Sequence, residues 1–284
     1  MAANTRRLNF HLIVAIICIV RLLLYQKELL SNVLSATLQE SWADHIESPL
    51  TKQNQLAKWR KKLPCLKSWV KITQRRYHSE VVSACSQEWA YIHVLKSGGT
   101  TVQAQCNDTK QKIDSHYHKT HRLFTFVRDP VSHFLSGYLE CAERKEPPSF
   151  AFKTDNETLQ KWLTQNRAYM HWCFQHSIPQ IEYLLFKTEP MRFLDHFHYI
   201  GDKEEMSSFF REKNLPWNES KVARRWSSTK TNMTAIRDVN RLNPDLVKQI
   251  CDFVKIDYCF FDYIPPKVCQ PMVTEFCEQT CGSI

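Results

Sequence analysis

The most restrictive feature of this sequence is its shortage of glycine. The 284 residues contain five glycines, and their spacings form neither the GxGxxG pattern of dinucleotide-binding folds nor the GxxxxGK[ST] pattern of Walker-type ATPases. Two of the five, Gly98 and Gly99, stand side by side between a short apolar run and a segment of helical character. The sequence therefore excludes the ordinary glycine-rich nucleotide folds and singles out this one turn.

Short apolar runs alternate with amphipathic segments through the middle of the chain. The runs at 89–95 and 123–127 are typical of buried parallel strands, and a third strand is predicted at 198–200, ending at Gly201. Helices are predicted after each of them. This alternation predicts an α/β fold, a P-loop-like parallel sheet flanked by helices, whose ligand lies beyond the carboxyl ends of the strands.

The turn KSGGTT, residues 96–101, has the composition of an anion-binding loop. Its glycines allow the backbone to approach a ligand closely, the following amides and two threonine hydroxyls can donate hydrogen bonds, and Lys96 supplies a mobile charge. In a Walker loop the lysine follows the glycines, whereas here it precedes them. The turn therefore indicates a phosphate or sulfate ligand but not an ordinary ATPase.

The second predicted strand ends in a similar combination of charge and hydroxyl. Arg128 follows the strand, Asp129 and Pro130 are suited to cap and begin a helix, and Ser136 falls off the apolar stripe of that helix. A guanidinium and a hydroxyl are suitable ligands for a second phosphate. Two anion sites at two strand ends predict a ligand that carries two separate anionic groups.

Helix-capping patterns mark two later elements. Asp202 and Glu205 have the spacing of a capping box, and Asn243 with Pro244 is suited to open another helix.

The net charge of +9 comes from one stretch of the chain. Residues 52–76 contain nine basic and no acidic residues, so the remainder of the chain carries no net charge. A solvated basic stem is the favoured interpretation over a dedicated polyanion site. Because few stacking aromatics accompany these charges, nucleic-acid binding is not expected.

The first 25 residues predict a membrane anchor. Residues 8–25 are apolar over 18 positions, about 27 Å as a helix, with Arg21 near the far end. Arg6 and Arg7 place residues 1–7 in the cytoplasm, so residues 26–86 form a lumenal stem and residues 87–284 the folded domain. A signal peptide cleaved near Ser35 and Ala36 is the alternative.

Cysteine and sequon counts also favour a lumenal location. Four N-x-[ST] sequons begin at Asn107, Asn156, Asn218 and Asn232. Ten cysteines lie outside the predicted anchor, and the five toward the C-terminus contain no CxxC pair. Disulfides are therefore expected rather than a zinc site, although the spacing does not reveal which cysteines are paired.

Four segments resemble the Golgi membrane-bound carbohydrate sulfotransferases. HVLKSGGTT at 93–101 resembles their 5′-phosphosulfate loop, and RDPVSHFLSGY at 128–138 resembles their 3′-phosphate motif. YIGDKEE at 199–205 and DYCFFDY at 257–263 are weaker likenesses. The chain departs from the family at two positions, with Leu95 in place of a usual proline and His133 in place of a frequent arginine.

The resemblance implies a type II protein of the Golgi membrane that transfers sulfate from 3′-phosphoadenylyl sulfate to a glycan or proteoglycan hydroxyl, without a metal. It implies that Lys96 neutralises the leaving phosphate and that Arg128 and Ser136 bind the 3′-phosphate. The expected contacts of the phosphosulfate are Lys96, Ser97, Gly98, Gly99, Thr100 and Thr101.

The general base for the acceptor hydroxyl is the least constrained assignment. His118 is the first candidate, in a cluster with His116 and His121, since histidine titrates near neutral pH. Glu140 and His171 are further candidates. The basic, hydroxyl-rich stretch 224–230 could close over the nucleotide or lie exposed; its residues are Arg224, Arg225, Ser227, Ser228 and Lys230.

Two other functions remain open from the sequence. A nucleotide or sugar kinase is disfavoured because no Walker loop or acidic metal-binding motif is apparent. A non-catalytic membrane glycoprotein that retains the fold is disfavoured because Lys96, Arg128 and Ser136 are all present.

Overall fold

The structure is a computed structural model. It describes residues 49–70, 81–106, 110–112, 120–153, 155–168, 172–184, 196–222 and 242–282. The predicted cytoplasmic tail and membrane anchor lie outside these residues. Among the helices that are described, none combines the length and the apolar character needed to cross a bilayer.

The described residues form five strands, eight α-helices and three short 3₁₀ segments. The strands are β1 (Val81–Ala84), β2 (Trp89–Ile92), β3 (Lys110–Lys112), β4 (Arg122–Val127) and β5 (Phe197–Asp202). The α-helices are α1 (Pro49–Val70), α2 (Gly99–Gln105), α3 (Pro130–Arg144), α4 (Asn156–Ala168), α5 (Ile181–Leu184), α6 (Met206–Glu212), α7 (Pro244–Phe261) and α8 (Gln270–Cys281). The 3₁₀ segments are Trp172–Ser177, Lys203–Glu205 and Glu219–Lys221.

The sheet is mixed, whereas the sequence predicted a parallel one. The strand order is β3-β1-β2-β4-β5, and β2, β4 and β5 are parallel as expected. The added strand β1 runs antiparallel to both β2 and β3. Because the link Cys85–Glu88 is too short for a crossover, β1 and β2 can pair only as a hairpin.

Alternating side chains bury both faces of β2 and of β4 from Leu123 onward. On β2, Trp89 and Tyr91 point to the face covered by α2 and α6, while Ala90 and Ile92 point to the opposite face. β5 continues through Gly201 to Asp202, two residues beyond the strand predicted at 198–200. Burial on both faces explains why these strands appear in the sequence as continuous apolar runs.

A second core lies between helices rather than against the sheet. Trp162 of α4 packs on Tyr138 of α3 and on Phe174, with ring centroids 5.5 Å and 4.3 Å apart. The residues that complete this core come mainly from α3 and α7. The predicted start of α7 is confirmed, with Asn243 accepting a hydrogen bond from the Asp245 amide and Pro244 in the first turn.

Ten described cysteines form five disulfides, in agreement with the expectation of disulfides. The pairs are Cys65–Cys281, Cys85–Cys106, Cys141–Cys173, Cys251–Cys269 and Cys259–Cys277.

Helix α1 packs against the folded domain, although the sequence analysis placed it in the stem. Its residues Leu56, Trp59 and Leu63, spaced at three and four positions, are buried in the same core as β2, β4 and β5. The compact unit accordingly runs from residue 53 to residue 284, and not from residue 87. The basic composition concealed this because exposed lysines, Lys58 and Lys61, lie on the same helix, while buried Lys62 reaches the Cys259 carbonyl at 2.7 Å.

We expect Trp59→Ala to destabilise the whole domain. The indole is 3% exposed and lies 5.4 Å from the ring of Phe261, so truncation should reduce the free energy of unfolding by about 3 kcal/mol or more. Chemical denaturation would measure this. The control is Lys61→Ala on the exposed face of α1, which should change stability by less than about 0.5 kcal/mol. Equal, negligible effects would show that α1 is a detached stem.

Candidate active site

A cleft of about 410 Å³ opens at the carboxyl ends of β2 and β4. These two strands are parallel neighbours, so the loops that follow them meet at one edge of the sheet. Ligands of open α/β sheets bind at this position. The predicted site residues that line the cleft are Lys96, Gly98, Gly99, Thr100, Thr101, Arg128 and Ser136.

The loop after β2 is shaped by close packing. Gly98 has φ of 87°, and a Cβ on it would lie 2.2 Å from the Met206 Cε of α6. A Cβ on Gly99 would lie 2.0 Å from His93 Nε2. Both positions therefore require glycine, since any side chain would displace a neighbour. Helix α2, which starts here, has seven residues.

Lys96 is held in an unfavourable backbone conformation at the start of this loop. Its φ is 62°, a left-handed value that costs a non-glycine residue roughly 1–2 kcal/mol. Such outliers concentrate at functional sites because the surrounding structure must enforce them. The Lys96 Nζ donates to Glu140 Oε2 on α3 at 2.7 Å.

Burial and charge act in opposite directions on the Lys96 ammonium. Burial lowers the pKa of Lys96 below its ordinary value, and the nearby guanidinium groups of Arg128 and Arg144 lower it further. The charge and hydrogen bond of Glu140 raise it again. The protonation of Lys96 therefore depends on its partner on α3.

Arg128 extends into the same cleft from the end of β4. Its Nη1 donates to the Lys96 carbonyl at 3.4 Å, and no carboxylate of the described residues forms an ion pair with its guanidinium. Burial lowers the pKa of Arg128, but a guanidinium remains charged at any physiological pH. A partly buried cation without an ion-paired carboxylate is suited to bind an anionic ligand.

Helix α3 begins as the sequence predicted. Asp129 Oδ1 accepts from the Ser132 amide at 2.7 Å, and Pro130 occupies the first turn. Ser136 and Glu140, one turn apart, both face the cleft. Arg144, a further turn along, also lines it.

Gln180 joins the two loops, and the sequence analysis missed it. Its Oε1 accepts from Ser97 Oγ at 2.8 Å and from the Arg128 amide at 2.9 Å. Its Nε2 donates to the Arg128 carbonyl at 2.7 Å. Fully buried Asp257 then accepts from the backbone amides of Gln180 and Ile181, at 2.6 Å and 2.9 Å. No motif marks a glutamine between Pro179 and Ile181, so no sequence signal was available.

Ser97 of the predicted phosphosulfate loop uses its hydroxyl inside the protein. Its side chain is fully buried, and the hydroxyl donates to Gln180. The side chain of Ser97 therefore fixes the loop internally, and a contact of this residue with the phosphosulfate stays a prediction.

Leu95 and His133, the two positions at which the chain departs from the family pattern, contact one another. His133 Nε2, in its protonated tautomer, donates to the Leu95 carbonyl at 2.7 Å, which ties α3 to the loop after β2. Burial lowers the pKa of His133 to about 3, so the ring is neutral. At this position, where the family often has a charged arginine, the chain therefore has a neutral histidine that holds α3 to the loop after β2.

The two weaker motifs support the strand ends. The capping box predicted at Asp202 and Glu205 is confirmed. Tyr258 donates its hydroxyl to Asp129 at 3.3 Å, and Tyr263 donates to Asp202. Residues 257–263 thus hold the segments that follow β4 and β5.

The predicted general base stays a prediction. His116, His118 and His171 lie outside the described residues, as does the stretch 224–230, while His121 does not line the cleft. Two histidines that the sequence analysis did not select do line it, His93 and His176. Burial lowers the pKa of His176 to about 4, and its Nδ1 lies 3.0 Å from the Cys173 carbonyl.

One group of metal-ligating residue types occurs beside the cleft in the described part of the chain. It comprises Cys141, Cys173 and His176. Both sulfurs belong to the Cys141–Cys173 disulfide, so this group has no thiolate to offer a metal.

Comparison with known proteins gives one match. Residues 75–264 match the model of the sulfotransferase family. Neither the curated proteins nor the solved structures contain a significant match to this chain. The matched region includes both loops of the cleft, β1–β5 and all of α7. Because it covers more than half of the 284 residues, the chain belongs to the sulfotransferase family.

Proposed function

We propose that this protein transfers a sulfuryl group from 3′-phosphoadenylyl sulfate to a hydroxyl of a glycan acceptor in the Golgi lumen. The observation that carries the proposal is the meeting of Lys96 and Arg128 in one cleft of a sulfotransferase-family domain. Two partly buried cations at adjacent strand ends are suited to a nucleotide with separate 5′ and 3′ anionic groups.

The residues of the cleft fit the two ends of this donor. The loop Lys96–Thr101 offers an ammonium, closely approachable glycines and two hydroxyls to a phosphosulfate. Arg128 offers a ribose phosphate its guanidinium, which has no ion-paired carboxylate among the described residues. Ser136 offers the same phosphate its hydroxyl. Gln180 fixes the spacing between these two halves through three hydrogen bonds.

Sulfuryl transfer places specific demands on this cleft. The acceptor oxygen bonds to sulfur while the bond from sulfur to the 5′-phosphate oxygen breaks, and the acceptor proton passes to a base. Negative charge develops on the leaving oxygen, where a preorganised cation is most effective. Lys96 supplies that charge, and His118 remains our proposed base.

The cysteines and sequons support the lumenal part of the proposal. Five disulfides indicate an oxidising compartment such as the secretory pathway. The described sequon asparagines, Asn156 and Asn218, are both exposed. The apolar residues 8–25 provide the proposed Golgi membrane anchor.

The direct test is a transfer assay. Purified protein is incubated with ³⁵S-labelled donor and a panel of glycans and proteoglycans, and label should appear on at least one acceptor. Titration calorimetry with adenosine 3′,5′-bisphosphate accompanies it. Binding of the nucleotide without transfer to any acceptor would favour a non-catalytic protein, and absence of binding would contradict the donor assignment.

We expect Lys96→Ala to lower turnover at least about a hundredfold, since loss of one preorganised donor to a developing charge raises the barrier by about 3–4 kcal/mol. Initial rates at saturating donor measure the effect. Lys267→Ala removes an exposed lysine outside the cleft and should leave turnover unchanged. Near-normal turnover in Lys96→Ala would contradict the assigned role.

We expect Arg128→Ala to weaken binding of adenosine 3′,5′-bisphosphate by about 10- to 100-fold. The reason is that a hydrogen bond to a charged group contributes roughly 1.5–3 kcal/mol to binding. Calorimetry with adenosine 5′-monophosphate provides the comparison, because that ligand lacks the 3′-phosphate and should bind both proteins alike. Arg128→Lys should restore affinity only in part. An equal loss for both nucleotides would show that Arg128 does not bind the 3′-phosphate.

A further inference from the structure

The carboxylate of Glu140 lies between two cations in the wall of the cleft. Its Oε2 accepts from Lys96 Nζ at 2.7 Å, and its Oε1 accepts from Arg144 Nε at 2.6 Å. The Glu140 side chain is 6% exposed and that of Lys96 is 13% exposed, whereas Arg144 is 45% exposed. Each carboxylate oxygen therefore has a separate cationic donor.

This arrangement makes Glu140 a poor proton acceptor. Burial alone would raise the pKa of Glu140, but the charges and hydrogen bonds of Lys96 and Arg144 outweigh it and lower the pKa to about 2. Both oxygens are also occupied by hydrogen bonds. A carboxylate in this state is unsuited to take a proton from an acceptor hydroxyl.

Lys96, in contrast, depends on an anion. Among the described residues, the charged groups that shift the pKa of Lys96 are Glu140 and Arg144 from α3 and Arg128 from the end of β4. Two nearby histidines, His133 of α3 and His176 of the 3₁₀ segment, are neutral because burial lowers the pKa of each, to about 3 and about 4. Glu140 is the carboxylate of this set, and it opposes the effects of burial and of the two guanidinium groups on the ammonium.

We propose that Glu140 is a positioning residue that keeps the Lys96 ammonium charged and directed into the cleft, with Arg144 anchoring the other carboxylate oxygen. The inference rests on the proposed function in so far as Lys96 acts on the leaving phosphate. Ser136 and Glu140 are one helical turn apart, so α3 presents a 3′-phosphate contact and the partner of the catalytic lysine on one face.

The first test measures the Lys96 amine directly and needs no activity. Competitive labelling with acetic anhydride across a pH series, read by mass spectrometry, reports the titration of Lys96 in the full protein. In Glu140→Gln the midpoint should fall by about one pH unit or more. In Arg144→Gln, which removes a nearby like charge from a partly exposed position, it should rise. An unchanged midpoint in Glu140→Gln would overturn the proposal, whatever the result for Arg144→Gln.

The second test uses turnover. Glu140→Gln should lower kcat at least about tenfold and move the alkaline limb of the pH profile of kcat to lower pH. The affinity for adenosine 3′,5′-bisphosphate should change little. If Glu140→Gln instead removed the acid limb of the pH profile, Glu140 would be the general base and the proposal would be overturned. Glu140→Asp retains the charge and should restore the alkaline limb in part.

A double-mutant cycle separates action through Lys96 from an independent role. If Glu140 acts through the lysine, Glu140→Gln should change kcat by less than about twofold in a Lys96→Ala background. Multiplicative effects would overturn the proposal. Failure of the wild-type protein to transfer sulfate would contradict the proposed function alone, because the labelling experiment still decides whether Glu140 controls the Lys96 amine.

Discussion

The geometry of the cleft depends on one buried amide. Gln180 binds Ser97 in the loop after β2 and both backbone groups of Arg128 after β4, and Asp257 fixes Gln180 in turn. These hydrogen bonds lie in the interior, where an unmatched donor or acceptor is costly, so the two loops cannot shift independently. Two anionic groups of one ligand can be bound together only if their sites keep a fixed distance, and this contact provides that constraint.

Helix α3 contributes the other half of the arrangement. Its inward face packs into the helical core through residues such as Phe134 and Tyr138. Its cleft face carries Ser136, Glu140 and Arg144 at successive turns. Because a helix packed on one side is rigid, these three side chains keep fixed positions relative to Arg128, which lies just before the start of α3. The cap formed by Asp129 connects the helix directly to the end of β4.

Local sequence patterns predicted the parts of this site that depend on local physics. The strand-turn-helix units, the cap at Asp129 and the capping box at Asp202 follow from hydrophobic period and side-chain chemistry, and all appear in the structure. Contacts between distant segments were not predictable. Gln180 reaches residues 52 and 83 positions away, and nothing in its local sequence indicates this.

Two further differences have physical causes of the same kind. Helix α1 is rich in lysine, and this composition concealed the three apolar residues that bury it against the sheet. The antiparallel strand β1 lies within residues 26–86, which the sequence analysis placed in the stem, and is four residues long, too short for a clear alternating pattern.

The disulfide between Cys65 and Cys281 links helix α1 to helix α8. These cysteines are 216 positions apart, so the bond forms only after residue 281 has been synthesised. A product that ends before residue 277 would leave Cys65 and Cys259 as unpaired thiols. Thiol-disulfide exchange enzymes act on such groups, so truncated molecules are chemically distinguishable from molecules that contain both pairs.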